Sequence, residues 1–65
     1  MDRLKLTVVA LTMMAKWGAD EQARREIAIA IHNNNSSLNP EFIGEAIACA
    51  HQMYLATQEI ARRAN

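Results

Sequence analysis

Cys49 is the only candidate nucleophile in the chain. In a helix its neighbours lie three and four positions away, and no histidine or lysine stands at those positions. Glu45, four positions before it, would disfavour the thiolate, and His51 would point to a different side of the helix. A catalytic Cys–His pair would therefore have to form between helices or between subunits. We expect instead a small, partly buried thiol that fills a contact between helices.

The two histidines, His32 and His51, are isolated from other metal-binding residue types. A zinc site needs three or four ligands, and the sequence has neither an H-x-x-x-H nor a C-x-x-C spacing. The carboxylates form ordinary helical pairs with arginines, such as Glu59 with Arg63, and the two glycines make no phosphate-binding motif. We predict no metal, no cofactor, no small-molecule substrate and no enzymatic activity. The one further role that we consider for these histidines is titration near neutral pH at an oligomer interface.

The length and composition favour a small domain that associates with something else. The chain has 65 residues, which predicts one domain (1–65) that buries only about 60% of its unfolded surface. Its single cysteine excludes an intrachain disulfide and is typical of a reducing compartment, so we expect a cytoplasmic protein. Because 51% of the residues are hydrophobic, we predict that self-association, as a homodimer or another homo-oligomer, supplements the core.

The clearest local signal lies in residues 33–40, where four asparagines and two serines precede the only proline. Asn39 is a typical N-cap and Pro40 a typical first helical residue, while Leu38 is placed to pack on Ile43 across the cap. The pattern predicts a turn over residues 33–39 and a helix over residues 40–63. One largely apolar stripe recurs in that helix at steps of three and four: Ile43, Ala46, Ile47, Ala50, Met53, Tyr54, Thr57, Ile60, Ala61 and Ala64.

Residues 4–17 are apolar almost all round a helical projection, with Lys5, Thr12 and Lys16 as the polar stripe. Such a helix lies inside a bundle or faces a partner. A strand is an alternative for residues 4–8, where apolar and polar residues alternate, but no second strand is available to pair with it. A signal peptide or membrane anchor is disfavoured, because the uncharged run is ten residues and a span needs about 20.

Gly18 leaves open whether residues 3–32 form one helix or two. The glycine could cap a second helix over residues 19–32, with Asp20 and Glu21 near its positive end. It could also lie within one continuous helix at a cost of about 1 kcal/mol. The charge pattern restarts at Asp20, so we predict three helices, over residues 3–17, 19–32 and 40–63. The expected fold is all-α, a small three-helix bundle or a long helical hairpin completed by homo-oligomerisation.

Five of the seven basic residues would share one pole of an up-down-up bundle, beside Trp17. Such a pole could bind RNA or DNA, although the net charge is zero and does not supply a cationic surface. The alternative is that these residues pair with helix carboxylates and helix ends. The candidate nucleic-acid contacts are Lys16, Arg24, Arg25, Arg62 and Arg63.

A surface around Trp17 is the stronger candidate for partner binding. Tryptophan is enriched among interface hot spots, and methionine adapts to irregular partners. The alternative is that Trp17 closes the end of the bundle. The candidate partner-binding residues are Met13, Met14, Trp17 and Leu55. We predict a non-enzymatic helical interaction module, a small regulator or inhibitor that binds another macromolecule, with nucleic-acid binding as the alternative and no membrane partner.

Overall fold

The computed structural model describes residues 2–64 and contains three helices in that range, with no strand. The helices are α1 (Arg3–Trp17), α2 (Glu21–Asn34) and α3 (Pro40–Ala64). The prediction of an all-α, three-helix fold is confirmed, and both the strand alternative and the two-helix alternative are wrong. No helix in the described range is long and apolar enough to cross a membrane.

The junction between α1 and α2 differs from the expectation. Gly18 ends α1 rather than starting α2: it has a φ of +94°, and its N–H donates to the carbonyl of Met14 at 2.7 Å. A positive φ is easily adopted only by glycine, which is why glycine is common just after helices. Asp20 is the N-cap of α2, because its carboxylate accepts a hydrogen bond from the Ala23 N–H at 2.8 Å.

The start of α3 is the one that the sequence predicts. Asn39 accepts the N–H of Glu41 at 2.8 Å through its side-chain oxygen, and Pro40 is the first helical residue. The N–H of Ile43 donates to the Asn39 carbonyl at 3.1 Å and closes the first helical turn. Leu38 is half-buried against the core that contains Ile43, as the predicted hydrophobic staple requires.

Side-chain contacts give the directions of the helices. Arg3 lies 3.6 Å from Glu45 at one end, and Ala15 shares a groove with Gln58 at the other, so α1 runs parallel to α3. Arg24 reaches His51, whereas the residues at the end of α2 lie beside the start of α3, so α2 runs antiparallel to both. The chain therefore forms an up-down-up bundle.

The core is small. Only six of its ten buried apolar residues are larger than alanine: Leu6, Met14, Ile27, Ile31, Ile43 and Ile47. The other four are Ala10, Ala23, Ala46 and Ala50, which allow close approach of helices but remove little apolar area from water. Thr7, the one buried polar side chain among residues 2–64, donates its hydroxyl to the Arg3 carbonyl at 2.8 Å.

Helix α3 is longer than the two helices that cover it. It has 25 residues against 15 in α1 and 14 in α2, and no residue of α3 after Ala50 is buried. The molecule is accordingly elongated, 43 × 22 × 15 Å. Its radius of gyration is 12.0 Å, compared with about 10.7 Å for a compact chain of this length. One helix thus extends well beyond the shared core.

Candidate interaction surfaces

Cys49 and the histidines do not form a reactive site. Cys49 is exposed, so the expectation of a partly buried thiol in a helix contact is wrong; the covering helices α1 and α2 do not reach this side of α3. His51 lies beside Arg24 instead of the thiol. Within residues 2–64 no group of three or more histidine, cysteine or carboxylate side chains is placed to hold a metal ion.

Arg24 links three parts of the chain. Its guanidinium donates to the carbonyl of Ala19 in the α1–α2 junction at 2.5 Å, and the same nitrogen lies 3.4 Å from Nε2 of His51 on α3. A guanidinium has no acceptor, so the contact with His51 is a hydrogen bond only when Nε2 carries no proton. These contacts give Arg24 a structural role at the junction of the helices.

Three further arginines of the candidate basic pole are paired with carboxylates. Arg25 lies 3.6 Å from Glu21, while Arg62 and Arg63 lie 3.4 and 3.1 Å from Glu59. All three are largely exposed, so these pairs are weak and screened by salt. Arg62 stands eleven residues beyond His51, about 16 Å further along α3. The structure therefore spreads the predicted basic residues along the bundle instead of gathering them at one point.

The predicted partner-binding residues divide between the core and the surface. Met14 is fully buried, so the prediction that it contacts a partner is wrong; it belongs to the hydrophobic core of the bundle. Met13 is half-buried against the core. Trp17 is 56% exposed and lines a shallow surface with Lys16, Glu26 and Ala30, so it does not close the bundle end. Leu55 is 47% exposed on α3.

Sequence reasoning missed an apolar stripe on α1 that faces away from α2. Its members are spaced by four, three and four residues, the spacing of a coiled-coil seam: Leu4, Val8, Leu11 and Ala15. Leu4 is 73% exposed and Val8 51%. Trp17 shares a surface with α2, and Val8, nine positions earlier, lies about 180° round the helix from it. The stripe therefore points away from α2.

Helix α3 carries a second stripe with the same spacing, formed by exposed residues: Cys49, Met53, Ala56 and Ile60. The sequence assigns Met53 and Ile60 to the buried seam, but they are 43% and 69% exposed. His51 lies on the side of α3 that meets α2, and Met53, two positions on, lies about 160° round the helix from it. We call the two stripes together the outer face. The repeated four-three-four spacing, offset from the buried seam, is the sequence signal that could have revealed it.

Charged residues lie beside the outer face on both helices. Lys5 and Lys16 lie on α1, and within residues 2–64 neither makes an ion pair. Glu45 and Glu59 lie on α3, in line with Gln52 at steps of seven residues, and both are ion-paired within the chain, Glu45 with Arg3 of α1 and Glu59 with Arg62 and Arg63. The face itself carries no charge, so its chemistry is that of a helix-packing surface.

The chain matches no family model, and the searches of curated proteins and of solved structures found no match either.

Proposed function

We propose that the protein is a non-enzymatic helical interaction module, a small cytoplasmic regulator or inhibitor that forms a homodimer and acts by occluding or bridging another macromolecule. The observation that carries the proposal is the exposure of eight large hydrophobic side chains, each 39–73% accessible: Leu4, Val8, Val9, Trp17, Ile29, Met53, Leu55 and Ile60. They outnumber the six large side chains of the core. Four of the eight, Leu4, Val8, Met53 and Ile60, belong to the outer face, and contiguous apolar patches on soluble chains typically mark interaction sites.

The surface area supports the same proposal. The isolated chain exposes 4684 Å². A compact monomer of 7.3 kDa would expose about 4,200 Å², so the chain carries roughly 500 Å² of additional surface. The last turns of α3 contribute to this excess, because no residue of α3 after Ala50 is buried. Covering apolar surface is favourable by about 25 cal/mol per Å², so a partner that covers this face stabilises the fold.

The surface around Trp17 is the proposed contact for a different protein. Its indole is more than half exposed, it stands beside Lys16 and Glu26, and it lies on the side of α1 opposite the stripe of Leu4 and Val8. A dimer formed through the outer face would therefore leave Trp17 accessible. Aromatic anchors with mixed charge around them are typical of protein–protein hot spots.

A nucleic-acid partner is the weaker proposal. Arg25, Arg62 and Arg63 already lie beside carboxylates, and Arg24 serves the helix junction. The net charge of zero gives no long-range attraction for a phosphate backbone. The test is a Lys16→Gln/Arg62→Gln/Arg63→Gln variant, which leaves Arg24 in place. If it loses a measured RNA or DNA affinity that the unaltered chain possesses, the nucleic-acid proposal replaces the protein-partner proposal.

The partner proposal is tested by affinity capture from the native host with two matched variants. Trp17→Ala and Ile29→Ala each remove a large side chain that is 56% or 58% exposed, one from the proposed surface and one from the groove between α2 and the start of α3. We expect Trp17→Ala to lose the captured protein and Ile29→Ala to retain it. Equal retention by both variants would contradict the assignment of the Trp17 surface, and loss with both would indicate a contact on another side.

A further inference from the structure

We propose that the contact between Arg24 and His51 is sensitive to pH: it holds the α1–α2 junction against α3 when His51 is neutral and releases the junction when His51 is protonated. We call this contact the latch. It joins three parts of the chain, namely Ala19 in the junction, Arg24 on α2 and His51 on α3. The inference does not depend on the oligomeric state or on the partner proposed above.

The latch is built around one guanidinium nitrogen. This nitrogen of Arg24 donates to the Ala19 carbonyl, and it lies 3.4 Å from Nε2 of His51. All three residues are half-buried, so water screens their contacts less than it screens the exposed ion pairs of the chain. Apart from the exposed pair of Arg3 and Glu45, the latch is the one polar side-chain contact between two helices within residues 2–64.

No carboxylate neutralises either partner of the latch. In the part of the chain that the structure describes, Arg24 and His51 form no ion pair. The two carboxylates at the start of α2 are already engaged, because Asp20 accepts a backbone N–H as the N-cap and Glu21 lies 3.6 Å from Arg25. A positive charge on His51 would therefore meet the guanidinium without a counter-ion in contact.

The other two elements supply no counter-ion either. Residues 46–58 of α3 contain no charged side chain, and their titratable groups besides His51 are Cys49 and Tyr54. Cys49 is exposed on a different side of α3, and the Tyr54 hydroxyl accepts a hydrogen bond within α3. The charged residue in the last turn of α1 is Lys16, which is itself basic.

Protonation reverses the interaction. A neutral imidazole can accept a hydrogen bond at Nε2, whereas an imidazolium donates from both nitrogens and a guanidinium has no acceptor. Two donors and two positive charges would then face each other across 3.4 Å. Histidine is the side chain that ordinarily changes charge between about pH 5 and pH 8. The latch is therefore closed in the upper part of that range and opens as the pH falls.

Opening of the latch acts on the segment that carries Trp17. Ala19 follows Trp17 after a single residue, Gly18, whose φ of +94° ends α1. When His51 repels the guanidinium, Arg24 can no longer hold the Ala19 carbonyl and remain against α3 at the same time. The junction then loses its attachment to α3, and the exposed indole beside it becomes more mobile.

Amide hydrogen exchange at about pH 7.5 and about pH 5.5, corrected for the intrinsic rates, tests the latch. The N–H groups of Gly18 and Ala23 report on the junction, since both are hydrogen-bonded there, and the N–H of Ile47 reports on the core of α3. In the unaltered chain we expect the protection of the junction to fall about tenfold at the lower pH, the size of effect that two adjacent like charges produce. The protection of Ile47 should not change.

Three variants identify the titrating group. His51→Gln retains an acceptor and does not titrate, so its junction should be equally protected at both pH values. His51→Lys carries a permanent charge and should show the low protection at both. His32→Gln is the matched control, because His32 lies in the last turn of α2, far from the latch, and it should behave as the unaltered chain does.

A measurement on the unaltered chain complements the variants. Nitrogen-15 NMR of the His51 ring should show Nε2 without a proton at neutral pH, and a proton on Nε2 there would contradict the latch. Three exchange results would also overturn it: protection that is independent of pH, an equal fall in His51→Gln, or an equal fall at Ile47, which indicates unfolding of the whole chain. None of these outcomes alters the proposed partner surface or the proposed self-association.

Discussion

The two halves of α3 carry the same pattern and have opposite surroundings. Up to Ala50 the apolar positions are buried beneath α1 and α2, and beyond it Met53 and Ile60 stand in water. The difference does not come from the residue types, because isoleucine occupies both halves. It comes from the side of α3 on which each residue lies: Met53 and Ile60 lie on the side away from α2, although α1 still reaches the height of Gln58. The spacing of apolar residues therefore identifies a face that is stabilised by burial. The positions of the other helices determine whether the same chain buries that face.

The strongest test of this comparison removes the same side chain from each half. Ile43→Ala empties a site that is 2% exposed and should lower the free energy of unfolding by about 2–5 kcal/mol. Ile60→Ala, at a site that is 69% exposed, should change it by less than about 0.5 kcal/mol when the chain is dilute.

Urea unfolding at two protein concentrations measures both effects and separates folding from association. At high concentration Ile60→Ala should lose the additional stability that association supplies. If Ile43→Ala and Ile60→Ala lowered the free energy of unfolding equally in dilute solution, the division of α3 into a covered half and an uncovered half would be contradicted.

A second test adds volume instead of removing it. Ala50 is fully buried in the seam of α3, whereas Ala48, two residues earlier, is exposed. Ala50→Trp should lower stability by about 1–3 kcal/mol or more, because the helices cannot separate without losing other contacts. Ala48→Trp should leave the melting temperature nearly unchanged. If the melting temperature of Ala50→Trp equals that of the unaltered chain, the assignment of the buried seam is wrong.

A smaller effect is expected at the start of the covered half. Asn39→Ala removes the acceptor for the Glu41 N–H and should lower stability by about 1 kcal/mol. Ser36 and Ser37 precede it in the same turn and are exposed, so Ser37→Ala is the matched control and should have little effect. The urea midpoints of the two variants show whether Asn39 or Ser37 caps the helix. A larger shift for Ser37→Ala would place the cap earlier in the turn.

A comparably modest loss is expected at the end of α1. Gly18 has a φ of +94°, which costs an L side chain about 1–2 kcal/mol. Gly44 lies within α3 beside open space that a methyl group would enter without a clash, and alanine there should raise stability by up to about 1 kcal/mol. Gly18→Ala and Gly44→Ala should therefore shift the melting temperature in opposite directions. Shifts of the same sign would contradict the positions assigned to the two glycines.

Much of the fold could be predicted from the sequence because the residues that begin and end the helices act on their immediate neighbours in the chain. Asn39 and Pro40 specify the start of α3 through residues that are adjacent in the chain, and the restart of charge at Asp20 correctly separates α1 from α2. The sequence alone favours the wrong helix for Gly18, because glycine is acceptable at either terminus. The capping hydrogen bond of Asp20 resolves the choice, and that bond depends on the geometry of the junction.

The surfaces were harder to predict because they depend on which neighbour covers each side. Trp17 and Leu55 are exposed, as a role in partner binding requires, whereas Met14 is buried in the hydrophobic core. Cys49 is exposed because α1 and α2 both lie on other sides of α3. A helical projection gives the angle of each residue round its own helix, and it does not give the positions of the other helices. The outer face is recognisable only once the position of α2 is known.

The most direct test of the central claim is the mass of the chain in solution across a dilution series, measured by light scattering and sedimentation. The account predicts twice 7.3 kDa at micromolar concentration, dissociation on dilution, and a single subunit for a Met53→Glu variant that folds normally. A mass of 7.3 kDa at every concentration, for the unaltered chain as for the variant, would contradict it.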